Sequence, residues 1–402
     1  MAIKALETTE EFGKFVEDFK AGKTYKEPVG FGIARVDRGQ LNSDKILQAT
    51  YPVINWKENY GSAAVFMAAL QESGVEIDTS ESEFVTNISK EFIDNALALF
   101  SPYIEEAKGD AHKNVQLIMA INELFSSSVV DDAQAFKVVF LFEDAAPKSV
   151  ESVYLKLYAL STQKAKLRSL NLNGAFGVLE NVAWSGNMPI ELAWLRENEI
   201  SLKVDGMYPQ IDSVDKFPRF LQHIIPADNT RILDSSKVRM GAQLAAGTTV
   251  MPGASYINFN AGTTGPVMVE GRISSSAIVG SGSDVGGGAS ILGVLSGTDG
   301  NPISIGQNTL LGANSVTGIP LGDGCIVDAG VTILAGTKVL IDTDQYNKIK
   351  EANPTWESAD TDVFKGATLA GLNGIHFRQD SITGEIKGFR STREVKLNEE
   401  LH

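Results

Sequence analysis

The chain has 402 residues, of which 43% are hydrophobic and 21% charged, enough for two or three domains with buried cores. Its net charge of −15 disfavours nucleic acid as a partner, because such binding rests on neutralising phosphates. One cysteine, Cys325, excludes an internal disulfide, and no apolar run approaches the length of a membrane span.

The opening MAIKALETTEEFGK lacks the basic-then-apolar layout of a secretion signal, so a cytoplasmic protein with no membrane partner is expected. Thr8 and Glu11 form a capping-box pattern, and Phe12, Phe15, Val16 and Phe19 follow at helical spacing. Strands are predicted near Phe31 to Val36, Val138 to Phe142, Gly177 to Trp184 and Ile200 to Val204. Helices are predicted over Lys90 to Lys108 and Ser149 to Ser161. Residues 1–230 thus read as a mixed α/β region, with an internal boundary near 125.

From residue 231 the pattern changes. Aliphatic residues recur every six positions at Ile232, Val238, Leu244 and Val250. The frame restarts at Val279, Val285 and Ile291, and returns at Ile305 and Leu311 with Thr317 in the next slot. It runs on through Leu321, Val327, Ile333 and Val339. A helix of period 3.6 cannot hold a strict period of six, whereas a three-faced parallel β-helix can. Each hexapeptide makes one face, its aliphatic points to the axis, and small residues occupy the corners. Residues 241–340 hold 21 of the 38 glycines and only two aromatics, Tyr256 and Phe259. The solenoid is expected over 231–341. Residues 342–402 follow as a short α/β tail, with a helix from Asp344 to Ala352. Pro252 to Arg272 and Gly293 to Pro302 break the register, and insertions in solenoids map to loops on a binding face.

Chemistry is sought in those breaks. Residues 241–340 carry seven charged side chains, and the lone glutamate, Glu270, sits two positions from the lone arginine, Arg272. Residues i and i+2 of a strand share a face, so the two either point into one cleft or form a solvated surface pair. His112, His223, His376 and His402 all lie outside the repeats, so a zinc hydratase built from coil histidines is disfavoured. If the chain transfers acyl groups, a carboxylate is the natural group to take the amine proton, provided geometry places it. Asn258 and Asn260 alternate with Ile257 and Phe259, and their amides either read an acceptor substrate or cap turns. Gly286-Gly287-Gly288 either brings bare N–H groups to an oxyanion or only turns a corner. Cys325 reads as a small core residue. Lys365 and Arg378 in the tail are candidates for phosphate contacts.

The run NFNAGTTGPVMVEGRISSSAIVGSGSDVGGGASILGVLSG resembles the longer bacterial form of the tetrahydrodipicolinate N-succinyltransferase family. GANSVTGIPLGDGCIVDAG, FRQDSITG, the terminal LNEELH and the early YPVINWKENYGSAAV are similar to the same family. The match is dense from about residue 230 onward and patchier before. The resemblance implies a left-handed β-helix and transfer of a succinyl group from succinyl-CoA to the amine of tetrahydrodipicolinate (L-2-amino-6-oxopimelate). That is a step of the diaminopimelate route to lysine. It implies a homotrimer with active sites between subunits and a tail that contributes to the CoA site. The family's catalytic glutamate falls on Glu270, as general base or as carrier of an acyl anhydride. Succinyl-CoA contacts carry over to Arg272, Gly287, Ser290, Ala313, Asp328, Ala329, Gly336 and Lys365, and to Arg378, Gln379, Asp380 and Ser381. Some relatives hold a divalent metal through two acidic side chains. Ser236 and Gly253-Ala254 stand in that stretch here, and no metal is expected. Another CoA-dependent acyltransferase on this scaffold, or a non-catalytic β-helix assembly protein, are the alternatives.

Overall fold

A computed structural model describes residues 3–127, 135–294, 298, 300–357 and 361–392. It divides into two compact units, one of residues 1–159 and 170–217, the other of 160–169 and 218–402. The division at 217/218 falls earlier than residue 230, and the tail belongs to the same unit as the repeats.

In the first unit, helix α1 (Thr9–Lys20) starts as its cap predicts. Thr8 Oγ1 accepts the Glu11 N–H at 3.1 Å, and the Glu11 carboxylate accepts the Glu7 N–H at 2.7 Å. Strands β1 (Gly30–Arg38), β2 (Ile46–Thr50), β3 (Ile54–Trp56), β4 (Glu83–Asn87) and β5 (Phe136–Leu141) form one antiparallel sheet. Its order is β2-β1-β5-β4, with β3 paired to β1. Helices α2 (Tyr60–Glu72), α3 (Lys90–Phe100) and α4 (Lys113–Ser126) pack with it around Phe31, Phe66, Phe92, Phe100 and Phe140. The boundary expected near residue 125 does not divide this unit, because β5 lies between β1 and β4, so residues on both sides of 125 share one sheet. Helix α5 (Val150–Ser161) matches its prediction.

Two strand predictions need correction, one in its bounds and one in its type. Gly177 to Trp184 contains the end of a short helix, α6 (Ala175–Val178), and then strand β6 (Val182–Ser185). Ile200 to Val204 is the end of helix α7 (Leu192–Val204). Its alternation misled because the apolar residues are not a buried face: Ile200 and Val204 are about four-fifths exposed. Strands β7 (Met188–Glu191) and β8 (Ser213–Asp215) flank β6 in a separate three-stranded sheet.

In the second unit the chain visits three parallel ladders in turn. On the first face Ile232 pairs with Val250, Val250 with Val269, Val269 with Val285, Val285 with Leu311 and Leu311 with Val327. The second face stacks Ile257, Ile273, Ile291, Thr317 and Ile333. The third stacks Thr263, Val279 and Ile305. All of these residues from Val250 onward are buried, as the inward slot of a hexapeptide requires.

Pro252 to Arg272 is not an extruded loop. Ile257, Thr263 and Val269 keep inward slots, and the apparent break is one seven-residue step (Val250 to Ile257) and one four-residue step (Val269 to Ile273). Only Gly293 to Pro302 is a true insertion, since Ile291 and Ile305 occupy successive slots. After Val327 the tail enters the first face. A hairpin of Ile375–Gln379 and Ile386–Arg390 stands between the Ile326–Val327 strand and the Lys338–Leu340 strand. The helix Thr343–Ala352 is capped by Asp342, which accepts the Gln345 N–H at 2.9 Å.

The segment 160–169 straps this unit. Ser161 Oγ accepts the Gly241 N–H, and Gln163 donates to the Leu244 carbonyl. The Arg168 guanidinium donates to the Ser276 carbonyl, Ser304 Oγ and the Ile303 carbonyl. Burial holds the Arg168 pKa below its ordinary value.

Candidate active site

The four-residue step puts Glu270 and Gly271 on the tight corner between the first and second faces. Glu270 donates its N–H to Val285 at 2.8 Å and accepts the Gly288 N–H on its carbonyl at 3.3 Å. A side chain at Gly271 would meet the Gly286 carbonyl oxygen at 2.8 Å, so glycine is what lets this corner close on the next.

The same corner recurs in each following coil. The Gly287 carbonyl accepts from Asn314, and the Ala313 carbonyl accepts from Gly330, both at 2.9 Å. Glu270, Gly287, Ala313 and Ala329 therefore belong to one corner of successive coils. Small residues follow the carboxylate along it, and Ala313 and Ala329 are exposed. A Cβ built on Gly287 would stand 3.7 Å from Glu270 Oε2, so the carboxylate lies over the bare Gly287 backbone. Within Gly286 to Ala289, the N–H groups of Gly286, Gly288 and Ala289 donate to Leu311, Glu270 and Gly286. The Gly287 N–H donates to no protein acceptor among the described residues.

Arg272 and Ser290 are register partners on the second face, and the guanidinium Nε and Nη2 donate to Ser290 Oγ at 3.1 and 2.6 Å. Arg272 is thus turned to Ser290 and does not pair with Glu270. The two do not share a strand face, because Glu270 sits in the corner before the Arg272–Ile273 strand begins.

The tail places the remaining candidates. Asp328 follows the Ile326–Val327 strand and donates its N–H to the Phe377 carbonyl at 3.0 Å. Its carboxylate accepts from His376 Nε2 and Arg378 Nε, each at 2.7 Å. Burial pushes its pKa up, but the bonds from Arg378 and His376 outweigh this and hold it below the usual value. Gly336 lies in the turn where Thr337 donates to Leu334, and Lys365 stands opposite Lys338 in an antiparallel pair. Asp380 and Ser381 turn the hairpin. The Asp380 carboxylate is held far below the ordinary range by the Lys387 ammonium and the Thr383 and Ile382 N–H groups. Gln379 donates to the Gly384 carbonyl across that turn.

Asn258 and Asn260 do not form one amide-bearing face. The strand ends at Ile257, and Asn260 has φ +55, so the alternation stops there. Asn258 Oδ1 accepts from Phe259 and Arg239, while Asn260 Oδ1 accepts the Arg168 N–H at 2.8 Å and holds the strap. Cys325 is fully buried, and burial pushes its thiol up to about 11. Sequence reasoning missed His376, whose signal was its i, i+2 spacing from Arg378. It also missed the strap, whose anchor Arg168 carries no local pattern.

No helix among the described residues is long and apolar enough to cross a membrane. No group of three or more His, Cys, Asp or Glu side chains among them is placed to hold a metal ion.

Comparison with known proteins identifies the family. Residues 10–177 match the N-terminal model of tetrahydrodipicolinate N-succinyltransferase, residues 179–219 its middle model, and residues 302–335 the hexapeptide repeat of succinyl-transferase. The chain is 69% identical to a 2,3,4,5-tetrahydropyridine-2,6-dicarboxylate N-succinyltransferase of Nitratiruptor sp., over 99% of this chain and 100% of that one. A protein of the same name from Campylobacter jejuni is 60% identical over 99% of this chain and 100% of its own. The Vibrio cholerae protein is 43% identical over 70% and 78%. A Campylobacter jejuni crystal structure described as a 2,3,4,5-tetrahydropyridine-2-carboxylate N-succinyltransferase superposes with a TM-score of 0.90. It is 59% identical and covers 97% of this chain and 99% of that one. The chain belongs to the tetrahydrodipicolinate N-succinyltransferase family.

Proposed function

We propose that this chain transfers a succinyl group from succinyl-CoA to the amino group of tetrahydrodipicolinate in its ring-opened form, L-2-amino-6-oxopimelate, on the diaminopimelate route to lysine. The observation that carries this reading is the corner itself. One carboxylate, Glu270, heads a strip of Gly287, Ala313 and Ala329, whose small side chains leave room for an extended thioester arm. The tail adds Lys365 and Arg378 as cations for the phosphate end.

The amine attacks the thioester carbonyl carbon, and the carbonyl π pair moves to oxygen. The unengaged Gly287 N–H is the donor we assign to that oxyanion. Glu270, as general base, takes the proton that the amine loses. Collapse of the intermediate breaks the C–S bond and releases the CoA thiolate, which takes up a proton. Arg272, steadied by Ser290, offers a guanidinium to a substrate carboxylate. Holding both substrates in one cleft converts a bimolecular encounter into a positioned one.

The family membership supports a left-handed winding of the three-faced stack, a homotrimer with active sites between neighbouring subunits, and a cytoplasmic location. The test is thiol release from succinyl-CoA with the ring-opened acceptor. Acceptor-dependent release that fails with acetyl-CoA supports the reading. Release that prefers acetyl-CoA, or none with either, overturns it.

A further inference from the structure

His376, Asp328 and Arg378 form a relay from the interior of the second unit to its surface. Their side chains are 19%, 32% and 57% exposed in that order. His376 and Arg378 are two apart on one strand and so project from the same face. The Asp328 carboxylate lies between them, accepting from His376 on Oδ1 and from Arg378 on Oδ2, both at 2.7 Å. An ionised carboxylate only accepts, so His376 donates from Nε2 and carries its proton there.

We infer that His376 is a positioning residue for the succinyl-CoA site: it holds the Asp328 carboxylate, which fixes the Arg378 guanidinium so that its outer nitrogens meet a phosphate of the CoA substrate. The inference rests on the activity proposed above. Arg378 spends Nε on Asp328, and among the described residues no protein acceptor holds its two Nη groups. A free arginine side chain loses considerable rotamer freedom when it captures a ligand, and a carboxylate that pins it beforehand reduces that cost. Asp328 itself would swing without a second partner, and His376 supplies it. The histidine is too enclosed to serve as the phosphate ligand, so it acts through the other two.

Docking of the hairpin does not depend on this side chain. Backbone pairing of Ile326 with His376 and Val327 with Phe377 secures the strand, and Ile375 and Phe377 are fully buried. A His376 variant can therefore fold and still lose the relay.

The experiment is a double-mutant cycle on the full chain, reading steady-state KM for both substrates, kcat, and calorimetric Kd for CoA alone. His376→Ala is expected to raise the succinyl-CoA KM and the CoA Kd about tenfold, the size of one lost charge-assisted hydrogen bond. The acceptor KM and kcat stay within about twofold, because only the phosphate end is disturbed. His376→Gln, whose side-chain amide can donate to Asp328, is expected to recover most of the affinity. In an Arg378→Met background His376→Ala is expected to add nothing further. A full additional loss in that background overturns the inference, as does an unchanged CoA Kd in folded His376→Ala or His376→Gln no better than alanine. If Arg378→Met alone leaves CoA affinity unchanged, Arg378 is outside the CoA site, and that placement falls first.

Discussion

Glu270 and Gly287 face each other across adjacent coils, with room for one methyl group between the carboxylate and the glycine backbone. Three consecutive glycines then have three different jobs. A Cβ on Gly287 makes only an ordinary contact of 3.7 Å. One on Gly286 would stand 2.6 Å from the Leu311 carbonyl oxygen, and Gly288 has φ +73 with Asn314 Oδ1 in the way. Gly287→Ala is expected to unfold at the wild-type temperature while losing turnover. Gly286→Ala and Gly288→Ala are each expected to cost about 1–3 kcal/mol of stability. Thermal unfolding alongside the thiol-release assay separates the two behaviours.

Glu270→Gln keeps the shape of the corner and removes the base. Folding and CoA binding are expected to persist while kcat falls by roughly 10²–10⁴-fold. Near-normal turnover in a folded, assembled Glu270→Gln protein would remove Glu270 from the mechanism.

Arg168→Ala strips the strap of its bonds to the Ser276 and Ile303 carbonyls and to Ser304 Oγ. A loss on the order of 3 kcal/mol is expected, since carbonyls bonded to a charged donor are left without it. Urea unfolding measures it, and Arg168→Lys, which lacks the fork, should recover only part.

His223 closes the short helix Phe220–His223, and burial pushes its pKa down to about 4 from 6.5. The unfolded chain takes up this proton as pH falls below 6.5, whereas the folded chain resists until about 4. Its contribution is therefore complete above 6.5 and lost as pH falls through that window, to a total on the order of 3 kcal/mol. In His223→Gln, stability measured between pH 6.5 and 4 should decline less steeply than in the wild type.

Cys325 donates from Sγ to the Leu372 carbonyl at 3.2 Å and is fully enclosed. Because its thiol is held up near 11, the native protein at pH 8 is expected to leave a chromogenic disulfide reagent unreacted. One thiol per chain should appear on unfolding. Rapid labelling of the native protein would contradict the enclosure.

The inward slots of the coils were readable because a buried ladder demands one aliphatic residue per face, and Val279, Val285 and Ile291 announce themselves at six-residue spacing. Steps of seven and four were not, since the residues that take them up (Ile257, Thr263, Val269 and Ile273) look like a lost register rather than a tightened corner. That is also why the strand-face reading of Glu270 and Arg272 failed: Glu270 stands on a corner, not beside Arg272 on a strand. The Thr8 cap was legible because its bonds are local. Helix α7 was not, because its exposed Ile200 and Val204 imitate the alternation of a half-buried strand. Contacts such as Arg168 with Ser276, or Asp328 with His376, join distant residues of the chain, and no spacing rule reports them.

The hairpin that stands beside Val327 has a consequence for how the chain is made. Within the stack each new strand finds its neighbour after one turn of the coil, so the structure can grow as the polypeptide leaves the ribosome. The Ile326–Val327 edge is different, because its partner is the strand of His376 and Phe377, made some fifty residues later. Until then that edge offers unpaired N–H and C=O groups to any passing strand. A nascent chain arrested between these two points would carry the complete Glu270 corner and an unpaired strand edge at the same time.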